Sequence, residues 1–334
     1  MDSKDIKFSI IIPVYNRPDE VKELLESITA QTYANFEVIV VDDGSTLPCK
    51  EIVQGYKDKI SVLYYQKANS GPGPTRNFAA HQASGDYLII LDSDCILPPF
   101  YLVAITKHLR VELLDAFGGP DCAHESFTSI QKAINYAMTS FFTTGGIRGS
   151  KTGLDKFYPR SFNMGVRRKV YELLHGFSSM RFGEDIDFSL RIFEQGYSCR
   201  LISEAWVYHK RRTDLKKFFK QVYNSGIARI NLYKRHPNSL KLVHVLPSIF
   251  TLGVLLLCIL SSYTLYALLP IILYVFLVFV DSVLKNRSLK IGLLSVGAAF
   301  CQLIGYGTGF LIATFRRLIL KRNEFGAFEK NLYD

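Results

Sequence analysis

The chain has 334 residues, 48% of them hydrophobic and 21% charged, with 40 Lys plus Arg against 30 Asp plus Glu for a formal charge of +10. That much apolar material excludes a disordered chain, and the length suits one large α/β domain with a smaller element beside it. The six cysteines, at 49, 95, 122, 199, 258 and 301, show neither the paired spacing of a zinc knuckle nor a disulfide framework, and fit a reduced compartment.

The opening, Met1-Asp2-Ser3-Lys4-Asp5-Ile6, reads as neither signal peptide nor anchor, which leaves the following domain on the cytoplasmic side. Residues 7–12 and 37–41 are short β-branched runs between turn formers and read as buried parallel strands. Between them Pro18 suits a first helical turn, and Val21, Leu24, Leu25 and Ile28 recur at three- and four-residue spacing, which makes a βαβ unit. A third strand is expected over 60–65, a helix including Asn77 to Gln82, a fourth strand over 87–91, and a helix over about 99–110. Ligands in open α/β sheets bind beyond the carboxyl ends of strands, and the polar residues cluster there: Tyr15 and Asn16, then Asp42 and Asp43, then Asp92 and Asp94.

Asp92-Ser93-Asp94 places two carboxylates at the rigid end of an apolar strand, where hard oxygen ligands suit Mg²⁺ or Mn²⁺ facing a diphosphate. An Asp-x-Asp in a solvated turn is the plain alternative. Asp42-Asp43-Gly44-Ser45 makes either an Asx turn or a carboxylate that binds a base or ribose. In Gly71-Pro72-Gly73-Pro74-Thr75-Arg76-Asn77, Arg76 at a helix entry suits a phosphate-side role, although neither a Walker loop nor a dinucleotide fingerprint is present.

Residues 115–215 are less periodic and are expected to add one or two strands and loops over the crevice. Within them 120–162 is a candidate lid, and Gln131 to Phe142 is helix-compatible. Gly183-Glu184-Asp185-Ile186-Asp187 opens an amphipathic helix. Acidic residues there cap the helix dipole, or one of them takes the proton of an attacking hydroxyl: Asp185 as base, Glu184 orienting the acceptor, Asp187 as the alternative base. His209, at another strand end, is a packing residue or a third metal ligand.

In joint order, Pro13-Val14-Tyr15-Asn16-Arg17, Val41-Asp42-Asp43-Gly44-Ser45, Leu91-Asp92-Ser93-Asp94, Ser161-Phe162-Asn163-Met164-Gly165-Val166-Arg167 and Gly183-Glu184-Asp185-Ile186-Asp187 resemble the motifs of inverting family-two glycosyltransferases with the glycosyltransferase A fold. The resemblance covers most of residues 7–235. It implies a Rossmann-like mixed α/β sheet and a nucleotide-sugar pocket containing Pro13, Tyr15, Asp43 and Asp92, with Arg17 in the first matched motif. It also implies Asp94 as principal metal ligand, His209 as an additional one, Asn163 to Arg167 on the acceptor side, Asp185 as general base and inversion by a single displacement. A UDP-sugar is the default donor. The Gln-x-x-Arg-Trp sequence of processive synthases is absent, since Gln221-Val222-Tyr223-Asn224-Ser225 follows the basic segment; transfer of one sugar to a lipid-linked oligosaccharide is preferred. Polyprenyl-phosphate transfer, a processive synthase and a noncatalytic scaffold are the alternatives.

After residue 235 the composition changes. Leu242 to Val280 is a run of 39 residues with no Asp, Glu, Lys or Arg, and Ile291 to Phe315 is another of 25. Helices over 244–262, 264–281 and 291–315 are expected to form a membrane region (242–318) ahead of a polar tail (319–334), with an interfacial helix near 216–234 closing the 1–235 catalytic domain. Basic residues flank these runs, which suits anionic headgroups, and no nucleic-acid partner is expected. The localisation implied is a bacterial inner membrane with the catalytic domain facing the cytoplasm. Helix packing in a homo-oligomer is the other use of the apolar segments. Three full crossings would leave Arg316, Arg317, Lys321 and Arg322 outside, against the positive-inside bias, unless the third element is re-entrant or interfacial.

Overall fold

The computed structural model describes residues 5–122, 124, 126–144 and 157–324. Ten strands and twelve α-helices are present among them. The first half runs β1 (Phe8–Val14), α1 (Pro18–Thr29), β2 (Phe36–Asp42), α2 (Lys50–Gln54), β3 (Val62–Gln66), α3 (Pro72–His81), β4 (Tyr87–Leu91), β5 (Cys95–Ile96), α4 (Tyr101–Val111), β6 (Ala116–Gly118) and β7 (Asp121–Cys122). Then come α5 (Ser129–Thr139), α6 (Phe141–Thr144), β8 (Asn163–Arg167), α7 (Arg168–Leu173), α8 (Glu184–Glu194), β9 (Cys199–Leu201) and β10 (Val207–His209). The chain ends with α9 (Leu215–Arg235), α10 (Leu246–Leu260), α11 (Leu269–Asn286) and α12 (Leu289–Thr314). Among the described residues two compact units result, one built from 5–122 and 157–209, the other from 124, 126–144 and 210–324.

In the first unit a seven-stranded sheet has the order β3-β2-β1-β4-β8-β6-β9. Strands β3, β2, β1 and β4 are parallel, and β8 enters antiparallel between β4 and β6. Alternation along each strand feeds two cores. Ile10, Ile12, Val38, Val40, Ile89 and Leu91 pack on one face, and Ile11, Ile39, Val41, Leu88 and Ile90 pack on the other. Both faces are covered, so these strands carry almost no polar side chains, which is why they stand out in the sequence. Helix α3 is entered through Pro72 and the left-handed Gly71 (φ 93°), ahead of the Asn77 to Gln82 stretch read as helix in the sequence.

The described residues of 115–215 hold five strands where the sequence pattern indicates one or two. The longest, β8, has five residues, and β7 has two, too few for a period to register. Asn163 to Arg167 form β8 itself, with all but Arg167 buried in the sheet; the residues at its entry, 160–162, are the ones beside the strand ends. Residues 145–156, part of the candidate lid, and 325–334 of the polar tail lie outside the described residues.

In the second unit α12 is the central element. Tyr136 of α5 donates to Asp281 of α11 at 2.6 Å, and Ser282 of α11 meets Ser295 of α12 at 2.7 Å. Helix α9 belongs to this unit rather than to the sheet, because Val222, Ile227 and Ile230 pack with Tyr306, Phe310 and Ala313. Two helical stretches, Leu265–Asn286 and Leu289–Ile319, are long and apolar enough to cross a membrane; Leu246–Leu260 is shorter.

Candidate functional site

Parallel strands β1, β2 and β4 end on one edge of the sheet, and β8 begins on the same edge because Asn163 pairs with Leu91. Four loops therefore open there. The first is fixed by Asn16, whose φ of 52° is tolerated by a short polar side chain. Its Oδ1 accepts from Thr46 N at 2.8 Å and Leu47 N at 3.0 Å, and its own N–H donates to Ser45 Oγ at 2.9 Å.

The two aspartates after β2 divide the work. Asp42 accepts from Ser45 N at 2.7 Å, an Asx turn, and from Tyr64 OH at 3.1 Å. Asp43 is completely buried and accepts from Ser70 N at 3.0 Å and Gly71 N at 2.8 Å, with Lys67 Nζ ion-paired to it. Its carboxylate thus holds the entry of α3 against the end of β2. The sequence reading missed Lys67, which lies just past β3 in no recognisable motif.

After β4, Asp92 turns toward Arg76, whose Nη2 lies 2.7 Å from its Oδ1. The other side of the same guanidinium reaches Glu184 Oε1 at 3.0 Å, and Phe177 lies 5.2 Å beneath it. Arg76, which the sequence reading gives a phosphate-side role, is 3% exposed and ion-paired to both carboxylates. Asp94 points elsewhere: its Oδ1 lies 3.2 Å from His209 Nε2 and its Oδ2 3.3 Å from Arg17 Nη1. A small second sheet, β5-β10-β7, makes this meeting happen. Antiparallel pairing sets His209 opposite Cys95, next to Asp94, and the parallel partner β7 brings Asp121 to 3.8 Å from His209 Nδ1. Phe162 stacks on the imidazole at 4.7 Å between ring centres.

Asp94, Cys95 and His209 offer donor atoms within 4.8 Å of one another. Cys95 is a poor member of that set, because burial and the neighbouring Asp94 push its thiol well above the ordinary range and its Sγ donates to Phe162 O at 3.3 Å. The remaining carboxylate oxygen and imidazole nitrogen suit Mn²⁺, and the oxygen suits Mg²⁺. Asp92, read from sequence as a ligand, is outside the cluster and bonded to Arg76.

At the start of α8, Gly183 is left-handed (φ 83°) and the three acids part ways. Asp185 accepts from Arg160 Nε at 2.6 Å and from Ile186 N at 2.8 Å. Burial opposes its charged form, but Arg160 outweighs this and holds the carboxyl below its usual range. Glu184 is pushed up to about 7 by burial, with Asp185 adding to the rise and Arg76 opposing it. Asp187 instead holds Arg191 at 3.1 Å, one turn on, and Arg191 donates to the carbonyls of Leu174 and Gly176. Through Arg191, Asp187 braces the turn at Leu174 to Gly176. Arg160, unmarked in sequence, could have been suspected only from its place ahead of a buried strand.

The glycosyl transferase family 2 model matches residues 9–174. An uncharacterized glycosyltransferase of Haemophilus influenzae is 31% identical over 219 residues, covering 62% of this chain and 70% of that protein. The poly(ribitol-phosphate) beta-N-acetylglucosaminyltransferase TarS of Staphylococcus aureus is 43% identical over 93 residues, 27% of this chain and 16% of its own. The chain spans only 13%, 23% and 15% of the length of three rickettsial glycosyltransferases it matches. Among solved structures, the mannosyltransferase of Pyrobaculum calidifontis in complex with GDP-Man and Mn²⁺ superposes with a TM-score of 0.58 at 16% identity, covering 96% of this chain and 89% of the other; the shared feature is the fold.

Proposed function

The chain belongs to glycosyl transferase family 2, and from that premise we propose that it moves one sugar from a nucleoside diphosphate sugar to a hydroxyl of a lipid-linked glycan. The observation that carries the proposal is the convergence, on one sheet edge, of an Asp94–His209 pair and a separately charged Asp185. Transfer needs both functions. Charge must be met where the diphosphate leaves, and a proton must be taken from the incoming hydroxyl.

In this reading Pro13 and Tyr15 line the nucleoside side of the pocket, Asp43 shapes that side from beneath by holding Ser70 and Gly71, and Arg17, beside Asp94, faces the diphosphate. Asp94 and His209 would hold a divalent cation, Mn²⁺ or Mg²⁺, which supplies positive charge at the departing group. Asp185, kept ionised by Arg160, accepts the hydroxyl proton as the acceptor oxygen bonds to the anomeric carbon and the bond to the diphosphate breaks. A single displacement of this kind inverts that carbon. Glu184, through Arg76, fixes Asp92 and the floor between donor and acceptor. The sheet unit is the catalytic part, and the apolar helices keep it at the cytoplasmic face of a bacterial inner membrane, where a polyprenyl-anchored acceptor presents its glycan.

Detergent-purified protein incubated with Mn²⁺, a panel of nucleotide sugars and extracted lipid-linked glycans tests this by mass spectrometry. A glycolipid heavier by one sugar is the expected product. Sugar appearing on polyprenyl phosphate itself would replace the acceptor in this proposal, and donor binding without transfer to any acceptor would overturn it.

A further inference from the structure

Helices α9 and α12 lie side by side and run in the same direction. Near one end Cys301 Sγ donates to Leu215 O at 3.4 Å; at the other Arg235 Nη2 reaches Glu324 Oε2 at 3.1 Å. Between them the backbones are close. A Cβ on Gly305 would fall 2.7 Å from Val222, and one on Gly309 would collide with Tyr223 O. From about Gly297 onward, the depth that α12 reaches is therefore shared, level by level, by α9.

Helix α9 is not apolar. Lys216 and Lys217 are exposed, Lys220 and Arg229 partly so. The hydrocarbon layer, about 30 Å thick, would take up roughly 20 residues of a perpendicular α12, and Lys216, Lys217 and Lys220 would then be drawn into lipid. Charged side chains at that depth are disfavoured unless they face a protein interior or water. Helix α11 runs alongside α12 in the opposite sense, with Tyr274 beside Phe300, Ser282 bonded to Ser295 and Val283 against Gly292, so α11 shares whatever tilt α12 takes.

We infer that the helical unit occupies a single leaflet: α12 lies in the headgroup plane and does not cross, while the exposed faces of α10 and α11 contact acyl chains. Burial follows the same division, at 11% of the most apolar window in Leu265–Asn286 against 44% in Leu289–Ile319. The partner is the anionic phospholipid of the cytoplasmic leaflet. Lys220 on α9, Lys285 and Lys290 around the turn into α12, and Arg316 and Arg322 beyond it then all meet headgroups of one face, as the positive-inside bias favours. The inference rests on the membrane reading made above but needs no assumption about donor or acceptor.

The test is labelling by a membrane-impermeant maleimide in right-side-out spheroplasts of the full chain carrying Asn323→Cys or Lys290→Cys, with the unsubstituted protein as baseline. Both variants should stay at baseline until the membrane is permeabilised and then gain label together, with the protein retained after carbonate washing. Label on Asn323→Cys but not Lys290→Cys in intact spheroplasts would show a crossing between them and overturn the single-leaflet inference. Loss of the protein from carbonate-washed membranes would overturn insertion itself, and transfer activity measured on the same preparation would show that the enzymatic reading stands apart.

Discussion

Neighbouring carboxylates at the start of α8 have opposite characters. Asp185 stays charged because Arg160 bonds to it, while burial, with Asp185 beside it, raises Glu184 to about 7 against the opposing pull of Arg76. Asp185→Asn should lower turnover about 10²- to 10⁴-fold with nucleotide binding retained, measured by steady-state transfer and calorimetry; near-normal turnover would remove Asp185 from the base role. Asp94→Ala should weaken donor binding in Mn²⁺ while leaving metal-free binding unchanged, so the two titrations should converge. The raised Glu184 also has a sign. The unfolded carboxyl gives up its proton near 4.5 and the folded one near 7, so stability falls as pH rises through that interval. Glu184→Gln should flatten the slope of denaturation midpoints between pH 5 and 7; an unchanged slope would mean that Glu184 is charged throughout.

Among the elements, those with a buried periodic face were legible in the sequence: β1, β2 and β4 through β-branched runs, α1 through its four-residue recurrences, and α8 through Ile186 and Leu190. The strand ends followed, which is how Asp43, Asp92 and Asp94 were singled out, and the start of α8 singled out Asp185. What was not legible depends on short pairings and on where long side chains reach. The β5-β10-β7 sheet is assembled from strands of two or three residues, and neither the partnership of Arg76 with Glu184 nor that of Arg160 with Asp185 has a spacing that announces it. Gly119, just ahead of β7, tests how closely that small sheet is fitted, because a Cβ there would collide with the carbonyl oxygen of Ala205. Gly119→Ala should cost about 1–3 kcal/mol in chemical denaturation. It should also loosen Mn²⁺ binding, since β7 and β10 would have to separate to admit the methyl group.

For the whole molecule, the chain divides into a sheet unit and a helical unit at His209 and Lys210, and in the proposed function the first carries the chemistry and the second the anchorage. A four-site change, Arg316→Gln, Arg317→Gln, Lys321→Gln and Arg322→Gln, should weaken binding to vesicles containing phosphatidylglycerol by about fivefold for each charge that meets a headgroup, ~1 kcal/mol apiece. Binding to phosphatidylcholine vesicles should not change, and equal losses on both would point to misfolding. The Arg76 bridge bears on how such a chain can change over generations. Asp92 and Glu184 stand far apart along the sequence yet neutralise one buried guanidinium. Losing either alone would leave that cation short of a partner inside the protein, so descendants that drift at one position should fare better where the arginine changes with it. Three codons distant from one another are thereby inherited as a single trait.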